Sequence, residues 1–197
     1  MRQITLDELY DLGRVAYDGI WDTAKAYGRD PKLYLHWTAG HYGTKFDDYH
    51  INIDKDGNLY ASTDNLADIL AHTWRRNSGA IGIALDCCVD ATSEDLGPEP
   101  PTAAQIEAMA QAVWKLADAL DLTIDKERVM THGEAADNED GLYTHDAYGP
   151  KNTCERWDLE YLGTDESPSF NPWATDGKRG GDVLRGKANW YRENAPH

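Results

Sequence analysis

Apolar residues along this chain follow two rhythms, one of helical and one of strand period, and their order sketches a fold. Leu6, Leu9, Leu12, Ala16 and Ile20 recur at helical intervals behind Thr5, and Thr5 with Glu8 has capping-box spacing. A first helix is therefore predicted over about residues 6–26, stopped by Gly28 and Pro31. Leu33, Tyr34 and Leu35 make a short apolar, aromatic run of the kind that forms a buried strand, closed by Gly40. In YHINIDKDGNLYAS two alternating runs flank a Lys55-Asp56-Gly57-Asn58 turn, which predicts a hairpin. NLADILAHTWRRNSGA has only weak helical spacing and reads as an irregular loop, whereas IGIALDCCV reads as a central strand.

A second capping box, Thr102 with Gln105, opens the clearest helix; its stripe of Ile106, Met109, Ala110, Val113, Ala117 and Leu120 belongs to the core. RVMTH is read as the last strand, delivering His132 just past its end, followed by a long polar loop and then ERWDLEYL as a brief helix or turn. After Gly163 the periodicity is lost, so residues 163–197 are read as an extended tail packed on the domain or partly disordered, and residues 1–162 as the domain proper. The expected fold class is α/β, a central mixed sheet flanked by helices.

Composition narrows the partners. The chain's 197 residues suit one domain with decoration, and 35 acidic against 19 basic residues give a formal charge of -16. Phosphate neutralisation needs a basic face, so sequence-independent nucleic-acid binding is excluded, and anionic membrane surfaces are disfavoured. Three cysteines make no disulfide framework; the adjacent Cys87 and Cys88 are read as small buried residues ending a strand. MRQITLDELY lacks a secretory pattern and no run reaches spanning length. Synthesis in the cytoplasm, no membrane insertion, a monomeric chain and export by another route are expected.

His36 and His132 both stand near predicted strand ends, where side chains can leave the core for a cleft. A lone histidine there is more often a hydrogen-bonded rim residue than a ligand. A catalytic zinc, however, takes three ligands from His, Asp, Glu or Cys and leaves one open position, and the acidic loop after His132, with its cysteine, offers candidates.

The stretches LHWTAG, YHINIDKDGNLY, AHTWRRNSGAIGIAL, PPTAAQIEAM, VMTHGEA and RWDL, in this order, resemble the zinc-dependent N-acetylmuramoyl-L-alanine amidases of the type-2 group. That group includes phage lysozymes of the T7 kind and is related to animal peptidoglycan recognition proteins. The resemblance runs from about Leu33 to Leu162. It implies one Zn2+ per chain, with His36 and His132 as ligands. For the third ligand two residues compete, because the usual Asp-Pro-Gly or Cys-Pro is missing. Asp158 is favoured over Cys154, since the family tends to place a basic residue two positions before the ligand and Arg156 has that offset.

The resemblance further implies catalytic roles for Arg156 at the developing oxyanion and for Tyr49 at the hairpin entrance, and Glu134, two residues beyond His132, is placed to act as general base or as a partner orienting a ligand histidine. Ala84 stands where many members carry a glutamate. Thr38, His72 and Asn77 match positions that contact glycan or peptide. The implied substrate is peptidoglycan, cut between N-acetylmuramic acid and L-alanine by a phage or prophage endolysin acting on the wall after release. The negative charge favours a thin sacculus over a wall rich in teichoic acid. The rival readings are a peptidoglycan-binding domain that has lost its metal, or a zinc amidase for another stem-peptide bond.

Overall fold

The computed structural model describes residues 1–196. In chain order the elements are β1 (Arg2–Ile4), α1 (Leu6–Ala26), β2 (Lys32–Trp37), β3 (Ile51–Ile53), β4 (Leu59–Ala61), β5 (Ala80–Leu85), α2 (Ala103–Leu120), β6 (Val129–Thr131), α3 (His132–Ala136) and α4 (Gly180–Asn194). They build one six-stranded sheet in the order β1-β4-β3-β5-β2-β6. The central pairs β3–β5, β5–β2 and β2–β6 are parallel, and β3–β4 and β4–β1 are antiparallel. The fold is thus the α/β, mixed-sheet class that the residue pattern predicts.

Both predicted caps form. Thr5 Oγ1 accepts from the Glu8 amide at 3.1 Å and Thr102 Oγ1 from the Gln105 amide at 3.0 Å, each with the return bond of a capping box. Leu9, Ala16 and Ile20 of α1 are buried, and Gly13 lets α1 approach α2 closely, because a Cβ there would lie 2.7 Å from the Ala119 methyl.

Strand alternation then separates two faces. Leu33, Leu35, Ile81, Ile83, Leu85, Ile51 and Ile53 join the apolar core with α1 and α2. The intervening positions, Tyr34 and His36 on β2, Gly82 and Ala84 on β5 and Asn52 on β3, share the opposite face, with His36 and Asn52 in register with Ala84. That face carries the polar chemistry.

The structure adds to this pattern. Arg2–Ile4, to which the residue pattern assigns no element, pairs with β4 as an edge strand. Of the brief helix or turn read for ERWDLEYL, residues 158–160 form the turn. The tail is not extended throughout: α4 packs against α2, with Val183, Leu184 and Ala188 in the core. Its apolar positions are few and two glycines open it, which hid its period; those glycines allow contact. A Cβ on Gly180 would sit 1.7 Å from the Leu159 carbonyl oxygen, and one on Gly181 would sit 2.3 Å from Glu134 Oε1. The tail therefore buttresses the turn that carries Asp158. No helix among the described residues is long and apolar enough to cross a membrane.

Candidate metal centre

His36 leaves the end of β2, His132 begins α3 directly after β6, and Asp158 comes from the turn that α4 supports. Their atoms converge. His36 Nδ1 lies 3.1 Å from His132 Nδ1, and Asp158 Oδ2 lies 3.5 Å from the first and 3.6 Å from the second. Among the described residues this is the group of His, Cys, Asp and Glu side chains able to share an ion. Tetrahedral zinc with nitrogen and oxygen ligands near 2.0–2.2 Å sets its ligand atoms roughly 3.3–3.6 Å apart. Two of the observed separations, 3.5 and 3.6 Å, fall in that range and the third, 3.1 Å, lies just below it, so two imidazoles and one carboxylate fit the metal. Cys154, the competing third ligand, is exposed and outside the group.

Electrostatics prepare these donors. His36 is fully buried, and that burial pushes its pKa down to about 4, so at neutral pH its ring is uncharged and able to donate a lone pair. Burial alone would raise the Asp158 carboxyl; its contacts with His132 and His36 outweigh burial and hold it well below the usual carboxylate range. Asp158 also sits in costly backbone. Cys154, Arg156 and Leu159 all take positive φ (57°, 46° and 62°), which non-glycine residues rarely adopt. The adjacent Trp157 anchors the segment, packed edge-on against Trp37 at 5.0 Å and Phe170 at 5.9 Å and stacked on Tyr161 at 6.2 Å.

A cleft of about 530 Å3 opens beside His132. Tyr49, His72, Asn77 and Arg156 line it, with Asp48, Thr73, Trp74 and Tyr148, which residue patterns alone did not single out. Tyr49 lies 5.0 Å from the His36 ring, and burial, then the Asp158 charge, pushes its phenol pKa up, so it stays a hydrogen-bond donor. Arg156 is exposed at the rim and makes no ion pair among the described residues.

Two predicted residues are placed elsewhere, and two more turn out to have structural duties. Glu134 is buried in a bidentate pair with Arg185, at 2.8 Å for each oxygen, and its Oε1 also accepts from the Thr131 amide at 2.9 Å. Burial alone would raise its pKa, but Arg185 holds it below the ordinary value, the reverse of what a general base needs. The Thr131-to-Glu134 spacing is a third capping box, which ties Glu134 to the start of α3. Thr38 is not among the cleft-lining residues; its hydroxyl accepts from the Gly40 amide at 3.1 Å. His72 and Asn77 reach the cleft, yet Asn77 Oδ1 accepts from the amides of His72 and Thr73 (3.1 and 2.8 Å) and shapes their loop.

The long polar loop after α3 is pinned rather than free. Arg76, completely buried, donates to Asp140 Oδ1 and Asn138 Oδ1, each at 2.9 Å, and Tyr34 donates to Asp140 Oδ2 at 3.0 Å.

The N-acetylmuramoyl-L-alanine amidase family (Amidase_2) matches residues 22–154. No curated protein matches. Similar solved structures include the Ph2119 endolysin from the Thermus scotoductus MAT2119 bacteriophage Ph2119, at 20% identity and TM-score 0.40, covering 54% of this chain and 74% of that one. The endolysin and N-acetylmuramoyl-L-alanine amidase LysCS from Clostridium intestinale URNW aligns at 19% identity and TM-score 0.40, covering 61% and 76%. Drosophila PGRP-LB aligns at 17% identity and TM-score 0.40, covering 59% and 82%. The family match spans more than half of the sequence and takes in both histidines, and this chain belongs to the N-acetylmuramoyl-L-alanine amidase family.

Proposed function

We propose that the chain hydrolyses the amide between the lactyl group of N-acetylmuramic acid and L-alanine in peptidoglycan, as a phage or prophage endolysin that binds one zinc ion through His36, His132 and Asp158. The observation that carries this is the convergence of those three donors, at separations suited to one ion, beside an open cleft. Bound there, zinc would supply a Lewis acid that polarises a carbonyl and lowers the pKa of a water toward neutrality.

The chain's own residues do the rest. The neutral His36 ring, with its proton on Nε2, and the ionised Asp158 offer lone pairs to the ion. Arg156, at the cleft rim two residues before Asp158, faces the negative charge that grows on the carbonyl oxygen, and the Tyr49 hydroxyl donates a hydrogen bond to the same region. With Ala84 lacking a carboxyl and Glu134 committed to Arg185, Asp48 is the cleft-wall carboxylate that can take the water's proton and pass it to the departing amine. Trp74, His72 and Tyr148 offer ring faces and edges for the glycan and stem peptide.

Two measurements test the reading. Protein purified without chelator should carry close to one zinc per chain, and digested sacculi should release free stem peptides from intact glycan in mass spectra. Substoichiometric metal with retained wall binding would indicate a recognition domain; cleavage within the stem peptide would reassign the bond.

A further inference from the structure

We propose that Thr73 is a positioning residue for the metal centre, its hydroxyl holding the far side of the His36 ring so that Nδ1 stays directed at the ion. This rests on the zinc reading above and concerns a residue outside the ligand set.

Thr73 follows His72 on the loop between β4 and β5 and is only 2% exposed. Its Oγ1 lies 3.3 Å from His36 Nε2 and 2.8 Å from His72 Nδ1, so one hydroxyl bridges two buried imidazoles. Several features fix the bridge in place. The Thr73 and His72 amides both donate to Asn77 Oδ1, and Gly82 leaves room for the His72 ring, because a Cβ there would meet it at 2.6 Å. On the other flank His50 accepts from the Gly82 amide at 3.0 Å and donates to the Asp68 carbonyl at 2.7 Å, and its ring lies edge-on to His72 at 5.6 Å.

The consequence concerns one proton. A neutral imidazole whose Nδ1 donates its lone pair to a metal must carry its proton on Nε2. His36 is 0% exposed, and among the described residues Thr73 Oγ1 is the partner of its Nε2. Removing the hydroxyl therefore strands a buried donor in the metal-bound state. The metal-free protein loses less, because His36 can move its proton to Nδ1, where His132 Nδ1 at 3.1 Å and Asp158 Oδ2 at 3.5 Å accept it, and Nε2 is then left as a neutral acceptor, whereas coordination at Nδ1 makes the Nε2 proton a stronger donor to strand. The loss of the His72 contact falls on both states and cancels. Thr73 thus acts on metal affinity more than on the stability of the metal-free fold, which separates positioning from a merely structural role.

The test is a zinc titration of the full chain by competition with a chromophoric chelator, together with thermal unfolding of the metal-free protein. Thr73→Val keeps the shape and removes the hydroxyl; its zinc affinity should fall about 10- to 100-fold, with the metal-free melting temperature close to that of the parent. Thr73→Ser, which restores the hydroxyl, should bind within a few-fold of the parent. Zinc affinity of Thr73→Val within two-fold of the parent overturns the inference, as does a melting loss with unchanged affinity. If Thr73→Val does not fold, the zinc-loaded parent decides by NMR: a protected, hydrogen-bonded His36 Nε2 proton supports the bridge, and a freely exchanging one overturns it. A parent chain that takes up no zinc removes the metal reading itself, an outcome distinct from a parent that binds while the variant binds equally well.

Discussion

His132 and Glu134 stand two residues apart at one short helix, yet they belong to opposite constructions. Glu134 enters a clasp in which buried charges are matched. Arg185 grips both its oxygens, Arg179 bridges Glu160 and Glu139 at 2.8 to 3.1 Å, and Lys126 reaches Glu139 at 2.7 Å. His132 enters a cluster whose donors face one another with no Lys or Arg paired to them among the described residues: two ring nitrogens 3.1 Å apart and a carboxylate held ionised. Buried charge is costly unless paired, so a complete set of partners marks a joint, and a convergent set of donors without a counter-ion marks a place for a ligand. The clasp fastens the C-terminal helix; the cluster is what that helix steadies.

Breaking the two constructions should therefore give opposite phenotypes. His36→Ala, His132→Ala or Asp158→Ala removes a metal donor but no ion pair that the fold depends on. Each should abolish zinc uptake and wall lysis while circular dichroism stays native; zinc retained near one per chain by Asp158→Ala would move the third ligand elsewhere. Glu134→Gln leaves Arg185 buried against a neutral amide, which should lower stability by about 3–5 kcal/mol in urea unfolding, with turnover per folded molecule kept. A catalytic base would show the reverse, lost turnover at unchanged stability. Arg156→Ala, at the exposed rim, should leave zinc content and stability alone and lower turnover roughly 100-fold; zinc lost along with turnover would make its role structural.

The same contrast explains what could be read from residues alone. Helical and strand periods carried α1, α2, the hairpin and the central strands, because one sheet face is almost purely apolar and two helices carry side-chain caps at their starts. His36 and His132 stood out because a polar ring at the end of an apolar run invites a cleft. Asp158 was separable from Cys154 only by resemblance, since what decides it is a turn with left-handed residues and the helix behind it, neither of which has a periodic signature. Glu134 carried a further signal in the sequence, since Thr131-x-x-Glu134 repeats the spacing of Thr5 with Glu8 and Thr102 with Gln105. The Arg179 and Arg185 clasp and the buried Arg76–Asp140 pair left no trace in sequence, because long-range ion pairs carry no spacing rule.

Asp86 supplies the sharpest test of whether an unpartnered buried group marks a site by itself. It follows β5, is completely buried, and neither carboxylate oxygen has a partner among the described residues. Burial pushes its pKa up to about 7; Lys45 opposes the shift and Asp54 adds to it. A carboxyl raised this far is protonated in the folded chain while ionised in the unfolded chain, so between about pH 4 and pH 7 the folded state binds more protons and stability falls as pH rises. The group therefore weakens the fold near neutrality, and among the described residues no other donor converges on it as His36, His132 and Asp158 converge on one another. Asp86→Asn should leave stability unchanged at pH 4 and raise it at pH 8, on the order of 2 kcal/mol in urea unfolding after relaxation around the charge. Zinc binding and lysis should be unaffected. An unchanged pH profile would mean that the carboxylate finds a partner in solution, and isolation of a buried acid would then no longer separate strain from function in this chain.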